Sequence, residues 1–167
     1  LKDFVKAASE APEELFKRVM DYVEAMKNPH LQQLIKDVLN DSEIKPRILK
    51  SPAAKSIHHA YMGGLLEHIC SICGVMKFMA QHYSFLNEDL LIFGAIFHDI
   101  GKVYELEIDR GIRYSDRGRL LGHMQLACEM IDEKSAKILG FPQELRDICK
   151  HIVLSHHNKL EYGSPKR

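Results

Sequence analysis

The chain has 167 residues, 46% of them apolar, which supports one sizeable core and makes a single domain the starting expectation. Its 23 lysines and arginines balance 23 aspartates and glutamates, so no overall field marks a nucleic-acid or membrane-surface binder, and any polyanion must be held locally. No apolar run approaches the ~18 residues of a membrane-spanning helix and no basic-then-apolar leader is present, which predicts a soluble protein.

In chain order, Glu13 to Met26 carries Leu15, Phe16, Val19, Tyr22, Val23 and Met26 at three- and four-residue intervals, one apolar stripe on a helix. Asn28-Pro29 restarts the chain, with Asn as N-cap and Pro at the first helical position, and predicts a helix to about Leu39. Ser51-Pro52 repeats that signal and opens a segment through Ala60; Gly63-Gly64 separates it from a long helix to about Tyr83. Asn87 caps a helix to about His98, and Gly101 follows. Val103 to Asp109 and Ile112 to Ser115 flank Arg110-Gly111 and predict a small exposed hairpin. Leu120 to Leu139 reads as a helix stopped by Gly140-Phe141-Pro142, and Glu144 to about His157 as the last one. The fold class expected is all-α, a bundle of about seven or eight helices with one inserted β-hairpin. Residues 1–50 are expected to pack as N-terminal helices on a core of residues 51–167, within one structural domain.

Cys70, Cys73, Cys128 and Cys149 lie inside apolar helical patterns without paired spacings, so core packing is preferred to a metal or redox role, and a reducing, cytoplasmic location fits best. The first residue is Leu rather than Met, which suggests a fragment whose neighbouring domains are absent.

Ten histidines are a high number for this length, and their positions matter more than their number. His68 lies between Leu65 and Ile72 on an inward stripe, and His98 follows Leu91, Gly94 and Ala95. His123 is expected to share a face with Leu120 and Ala127, and His156 to continue the series Leu145, Ile148, Cys149 and Ile152. One buried imidazole ordinarily finds a carbonyl or a water. Four converging neutral imidazoles would compete for few acceptors, whereas a divalent cation satisfies all their lone pairs. Asp99, directly after His98, adds a hard oxygen ligand and the negative charge that imidazoles lack. A mixed nitrogen and oxygen set suits Mn, Fe, Zn or Mg better than copper or an iron-sulfur cluster.

His68, then Phe97-His98-Asp99-Ile100-Gly101-Lys102, then His123 and His156-His157 resemble the HD superfamily of metal-dependent phosphohydrolases. Longer strings narrow the resemblance: His58-His59-Ala60-Tyr61-Met62-Gly63-Gly64-Leu65-Leu66-Glu67-His68, Tyr114-Ser115-Asp116 leading into Leu121-Gly122-His123, and Ser155-His156-His157 followed by Glu161-Tyr162-Gly163-Ser164-Pro165. Together they look like the HD region of the YhaM-type 3'-5' exoribonucleases. That resemblance implies a single-stranded RNA substrate, Mn as the favoured metal and a preceding OB-fold domain, expected to be missing from this chain, and it is compatible with a homo-oligomer. It also implies a further metal-binding Asp downstream, yet no Asp follows His157, so the chain is expected to stop before it; otherwise Asp99 must serve with water or another carboxylate such as Asp116.

The chemistry implied is hydrolysis of a phosphodiester with one or two divalent ions. His68, His98 and Asp99 hold the first, and His123, His156 and His157 serve the second, with Asp99 as the bridge. Adjacent helical residues point roughly 100° apart, so His156 and His157 can both be ligands only near the helix end. Asp99 and Lys102 are the catalytic candidates, Lys102 placing a cation against non-bridging oxygens. The resemblance makes Lys55, His58 and His59 the substrate-binding candidates beside the Gly63-Gly64 break; on the residues alone, helix-surface histidines fit His58 and His59 equally well. Lys45, Arg47, Lys50 and Lys55, and Arg110, Arg113, Arg117 and Arg119, are as dense as solvated faces usually are, and no aromatics interleave them as a stacking platform. Two other readings stay open: a phosphohydrolase of nucleotides or cyclic nucleotides, although the Gly-Tyr-Pro signature of cyclic dinucleotide phosphodiesterases is absent after His157, and a non-catalytic metal-binding regulatory module.

Overall fold

The structure, a computed structural model, describes residues 10–54, 61–109, 111–159 and 165. Eight helices and one hairpin are present among them: α1 (Pro12–Glu24), α2 (Pro29–Leu39), α3 (Ile44–Ile48), α4 (Gly64–His82), α5 (Glu88–Phe97), α6 (Lys102–Glu105), β1 (Leu106–Ile108), β2 (Ile112–Tyr114), α7 (Asp116–Ser135) and α8 (Gln143–Ser155). The all-α bundle with a small inserted hairpin is therefore the fold. No helix among the described residues is long and apolar enough to cross a membrane.

Local chemistry sets the helix starts. Asn28 Oδ1 accepts from the amides of His30 and Leu31, and Asn87 Oδ1 from that of Leu90, so each asparagine satisfies donors that have no partner within the helix. Asp89, in the first turn of α5, accepts from the backbone amides of Lys27 and Asn28 and ties the α1–α2 turn to that helix.

Three expectations need correction. Ser51-Pro52 starts no helix over residues 51–54; instead the carbonyls of Lys50 and Ser51 accept from the amides of Gly63 and Leu65, capping α4 from outside. Val103 to Glu105 are helical rather than extended, so the hairpin keeps only the register Leu106↔Tyr114, Glu107↔Arg113 and Ile108↔Ile112. Leu120 does not share an inward face with His123. It is 83% exposed, because Gly122 adopts φ 73 and ψ 159 and breaks α7 between the two residues. The helices at Ile44–Ile48 and Lys102–Glu105 are too short for the periodic pattern by which helices are read from sequence.

One contiguous core joins the inward faces of α1, α2, α4, α5, α7 and α8, with Leu34, Ile35, Val38, Leu66, Phe93 and Phe97 fully buried. All four cysteines are free and buried in it. Polar groups gather where α5 ends, α6 begins, α7 restarts after Gly122 and α8 ends, at the open rim of this core.

Candidate metal centre

Asp99 sits just past the end of α5, 6% exposed, and its two carboxylate oxygens face different groups. Oδ2 lies 3.4 Å from His98 Nε2, 3.6 Å from His68 Nε2 and 2.8 Å from Lys102 Nζ. Oδ1 lies 3.6 Å from His123 Nε2 and 4.0 Å from His156 Nε2. His68 and His98 bring their Nε2 atoms within 3.0 Å of each other, and His123 and His157 theirs within 3.3 Å. Two sets of ligand-type atoms thus cluster closely enough to hold a cation: His68, His98 and Asp99 on one side, and His123, His156 and His157 on the other.

The tautomers follow from what lies behind each ring. His98 Nδ1 stands 3.2 and 3.1 Å from the carbonyls of Gly94 and Ala95, and His156 Nδ1 is 2.6 Å from that of Val153. A carbonyl only accepts, so both Nδ1 atoms carry the proton and both Nε2 atoms present lone pairs toward Asp99. Both histidines occupy the C-cap position of their helices, where the last-turn carbonyls lack helical partners. Lone pairs converging on a carboxylate repel one another unless a cation stands among them, and the donor set therefore fits a divalent metal.

His157 reaches the same cluster because α8 has already ended at Ser155, so the roughly 100° divergence of adjacent helical residues does not apply there. It is the exposed member of the set. Burial pushes the His156 imidazole down to about 4, with the neighbouring His157 and His98 adding to the effect. His157 is also lowered, first by burial and then by His123. Burial works to raise the Asp99 carboxyl, and the ammonium of Lys102, bonded to Oδ2, works against it, leaving the group below the usual carboxylate range.

Two glycines let the backbones close around this point. A Cβ on Gly101 would stand 2.0 Å from the carbonyl oxygen of His123, so the chain leaving Asp99 can run against α7 only without a side chain there. Gly122 takes a positive φ that side chains disfavour, and the break it makes turns His123 toward Asp99. Glu105, 8% exposed, accepts from both the backbone amide of His123 (3.0 Å) and its Nδ1 (3.1 Å). Sequence reasoning missed Glu105, Gly101 and Gly122 as site residues. The signal available was an acid flanked by Tyr104 and Leu106 in an apolar stretch, with glycines directly before Lys102 and His123.

Lys102 is not free: its Nζ bonds Asp99 Oδ2. Lys55, His58 and His59 lie outside the described residues, and Asp116 is exposed in the first turn of α7 rather than among the converging groups. Among the described residues, four of the basic side chains are committed locally. Arg47 and Arg117 lie over the Tyr104 ring, Lys45 over Phe16, Arg113 pairs with Glu107, and Arg117 also pairs with Glu129. An apolar groove of about 460 Å³ between α4, α5 and α8 adjoins His98 and His156.

A helical bundle that gathers five imidazoles around one buried carboxylate defines a His-Asp centre of candidate metal-binding groups. The chain belongs to the HD domain family, which matches residues 64–166. Among curated proteins, the 3'-5' exoribonuclease YhaM of Halalkalibacterium halodurans is 37% identical over 166 residues, which are 99% of this chain and 51% of that protein. The proteins of the same name from Geobacillus sp. and Shouchella clausii are 37% and 39% identical over 99% of this chain, covering 50% and 51% of their own lengths. The chain spans about half the length of these relatives. No solved structure matches it.

Proposed function

We propose that the chain is the phosphodiester-hydrolysing part of a metal-dependent 3'-5' exoribonuclease that acts on single-stranded RNA in the cytoplasm. The observation that carries the reading is the division of Asp99, with Oδ2 toward His68 and His98 and Oδ1 toward His123 and His156. A carboxylate so placed can be shared by two cations. His68, His98 and Asp99 would hold one, and His123, His156 and His157 the other beside Asp99. A divalent ion bound there, Mn being favoured among Mn, Fe, Mg and Zn by family resemblance, would supply Lewis-acid charge to a phosphoryl oxygen and lower the pKa of water.

The chain's own residues prepare the site. Bonds from the Nδ1 atoms of His98 and His156 to backbone carbonyls fix which nitrogen faces the centre. Lys102, whose side chain is 18% exposed, keeps one N–H on Asp99 and has further donors for non-bridging phosphate oxygens. Lys55, His58 and His59 are assigned to holding the substrate beside Gly63-Gly64. The RNA assignment is supported by the relatives, which match nearly the whole chain and carry the exoribonuclease name. Their greater length supports further segments in the intact protein, and the OB-fold proposed among them rests on the family resemblance alone.

The test is incubation of the Mn-loaded chain with 5'-labelled single-stranded RNA and, separately, with a panel of mononucleotides and cyclic nucleotides. A ladder of shortened RNA with release of 5'-monophosphates is expected. Phosphate or pyrophosphate from nucleotides alone would shift the reading to a small-nucleotide phosphohydrolase, and bound metal without turnover of either substrate would point to a non-catalytic module.

A further inference from the structure

His123 differs from His98 and His156 in where it stands on its helix. Those two follow the last turns of α5 and α8, where carbonyls without helical partners are at hand to take the Nδ1 proton. His123 instead opens the second half of α7, directly after the Gly122 break, and a helix start offers amide donors rather than carbonyl acceptors. An acceptor must be brought from another element, and Glu105 brings it. Its Oε1 takes both the His123 backbone amide at 3.0 Å and Nδ1 at 3.1 Å, so one oxygen caps the restarted helix and binds the ring.

Glu105 is itself held in place. Its carbonyl accepts from the Ser115 amide at 2.9 Å, and Gly118 lies so close that a Cβ there would stand 2.4 Å from that carbonyl oxygen.

We propose that Glu105 is a positioning residue of the metal centre: it keeps the proton of His123 on Nδ1, so that the Nε2 lone pair faces Asp99 and the cation bound beside it. This rests on the metal-centre reading above. Of the rings whose Nδ1 partner is described, His123 is the one locked by a carboxylate rather than a carbonyl, which makes its Nε2 the more basic donor. Because the lock comes from the α6–β1 junction, this side chain ties the hairpin region to the metal site.

The experiment compares the intact chain with Glu105→Ala, Glu105→Gln and Ser115→Ala. Ser115 serves as the control because its hydroxyl donates to the Tyr104 carbonyl and accepts from the Gly118 amide, anchoring the same segment without touching His123. Long-range proton–nitrogen NMR of the metal-free proteins reads the His123 tautomer, and titration with Mn(II) followed by EPR reads affinity. Glu105→Ala should lose the Nδ1–H form and bind Mn(II) about 10–100-fold more weakly. Glu105→Gln, which keeps an acceptor oxygen, should retain the tautomer and recover part of the affinity, and Ser115→Ala should lower Tm while changing neither readout. The proposal is overturned if Glu105→Ala keeps the Nδ1–H tautomer, or if Ser115→Ala weakens Mn(II) binding as much as Glu105→Ala does. An intact chain that binds no Mn(II) sinks the metal reading instead, and the tautomer measurement still decides what Glu105 does.

Discussion

The packed interior between α2 and α5 and the pit around Asp99 are both buried, but burial does opposite things in them. In the interior, Leu34, Ile35, Val38 and Leu39 have no exposure, and stability comes from apolar area removed from water, with little demand on direction. Around Asp99, burial costs free energy, and the cost is offset by direction: Nδ1 atoms aim at acceptors behind the rings and Lys102 at the carboxylate, while the Nε2 lone pairs are left for a cation. The interior tolerates a change of shape better than the pit tolerates a change of direction, and that asymmetry can be broken by substitution.

The largest effect is expected at Asp99. Asp99→Asn keeps the shape but removes the charge and one acceptor, so hydrolysis should fall at least about 100-fold and bound metal with it. Calorimetry of the metal-free protein should find Tm unchanged or raised, since a carboxylate among imidazoles no longer needs a cation. Leu34→Ala should do the reverse, losing about 2–5 kcal/mol in denaturant unfolding while leaving metal stoichiometry intact. If instead it emptied the metal site, the two regions would not be separable.

Gly101→Ala falls on the seam between them. Its Cβ must displace the backbone of His123, so a loss of roughly 1–3 kcal/mol should be accompanied by weaker metal binding, measured by denaturant melts and Mn(II) titration. The smallest effect is expected on the outer surface, where Lys134 and the Glu43 amide hold the Asp41 carboxyl below its usual range, while the bond to Asp41 raises Lys134. A depressed carboxylate contributes stability above its ordinary range and loses it as pH falls through the lowered value. The raised lysine contributes below its own ordinary range and loses that contribution only at high pH. Asp41→Asn should therefore flatten the acid side of a Tm-against-pH profile, by about 1 kcal/mol, with no change in metal binding.

What could be read from the sequence divides along the same line. Asn28 and Asn87 announce their helices because capping is local chemistry, and His68, His98 and His156 fall on inward faces because three-to-four periodicity survives in long helices. Gly122 was illegible, since one glycine among Leu120, Leu121 and Met124 looks like a tolerated helix interior rather than a break. Glu105 was hidden for a different reason: Val103 to Asp109 alternates like a strand, and only the tertiary placement of α6 against α7 turns that acid toward His123. Gly101 reads as the end of a helix, and its closeness to the His123 carbonyl is a long-range fact that no local pattern contains.

Crystals of the intact chain soaked in Mn(II), with anomalous diffraction collected at the manganese edge, put the central claim at direct risk. Ions should lie on either side of Asp99, one within coordination distance of Nε2 of His68 and His98 and the other of Nε2 of His123 and His156. Anomalous density confined to the surface, with the pit around Asp99 empty at saturating Mn(II), would contradict the account.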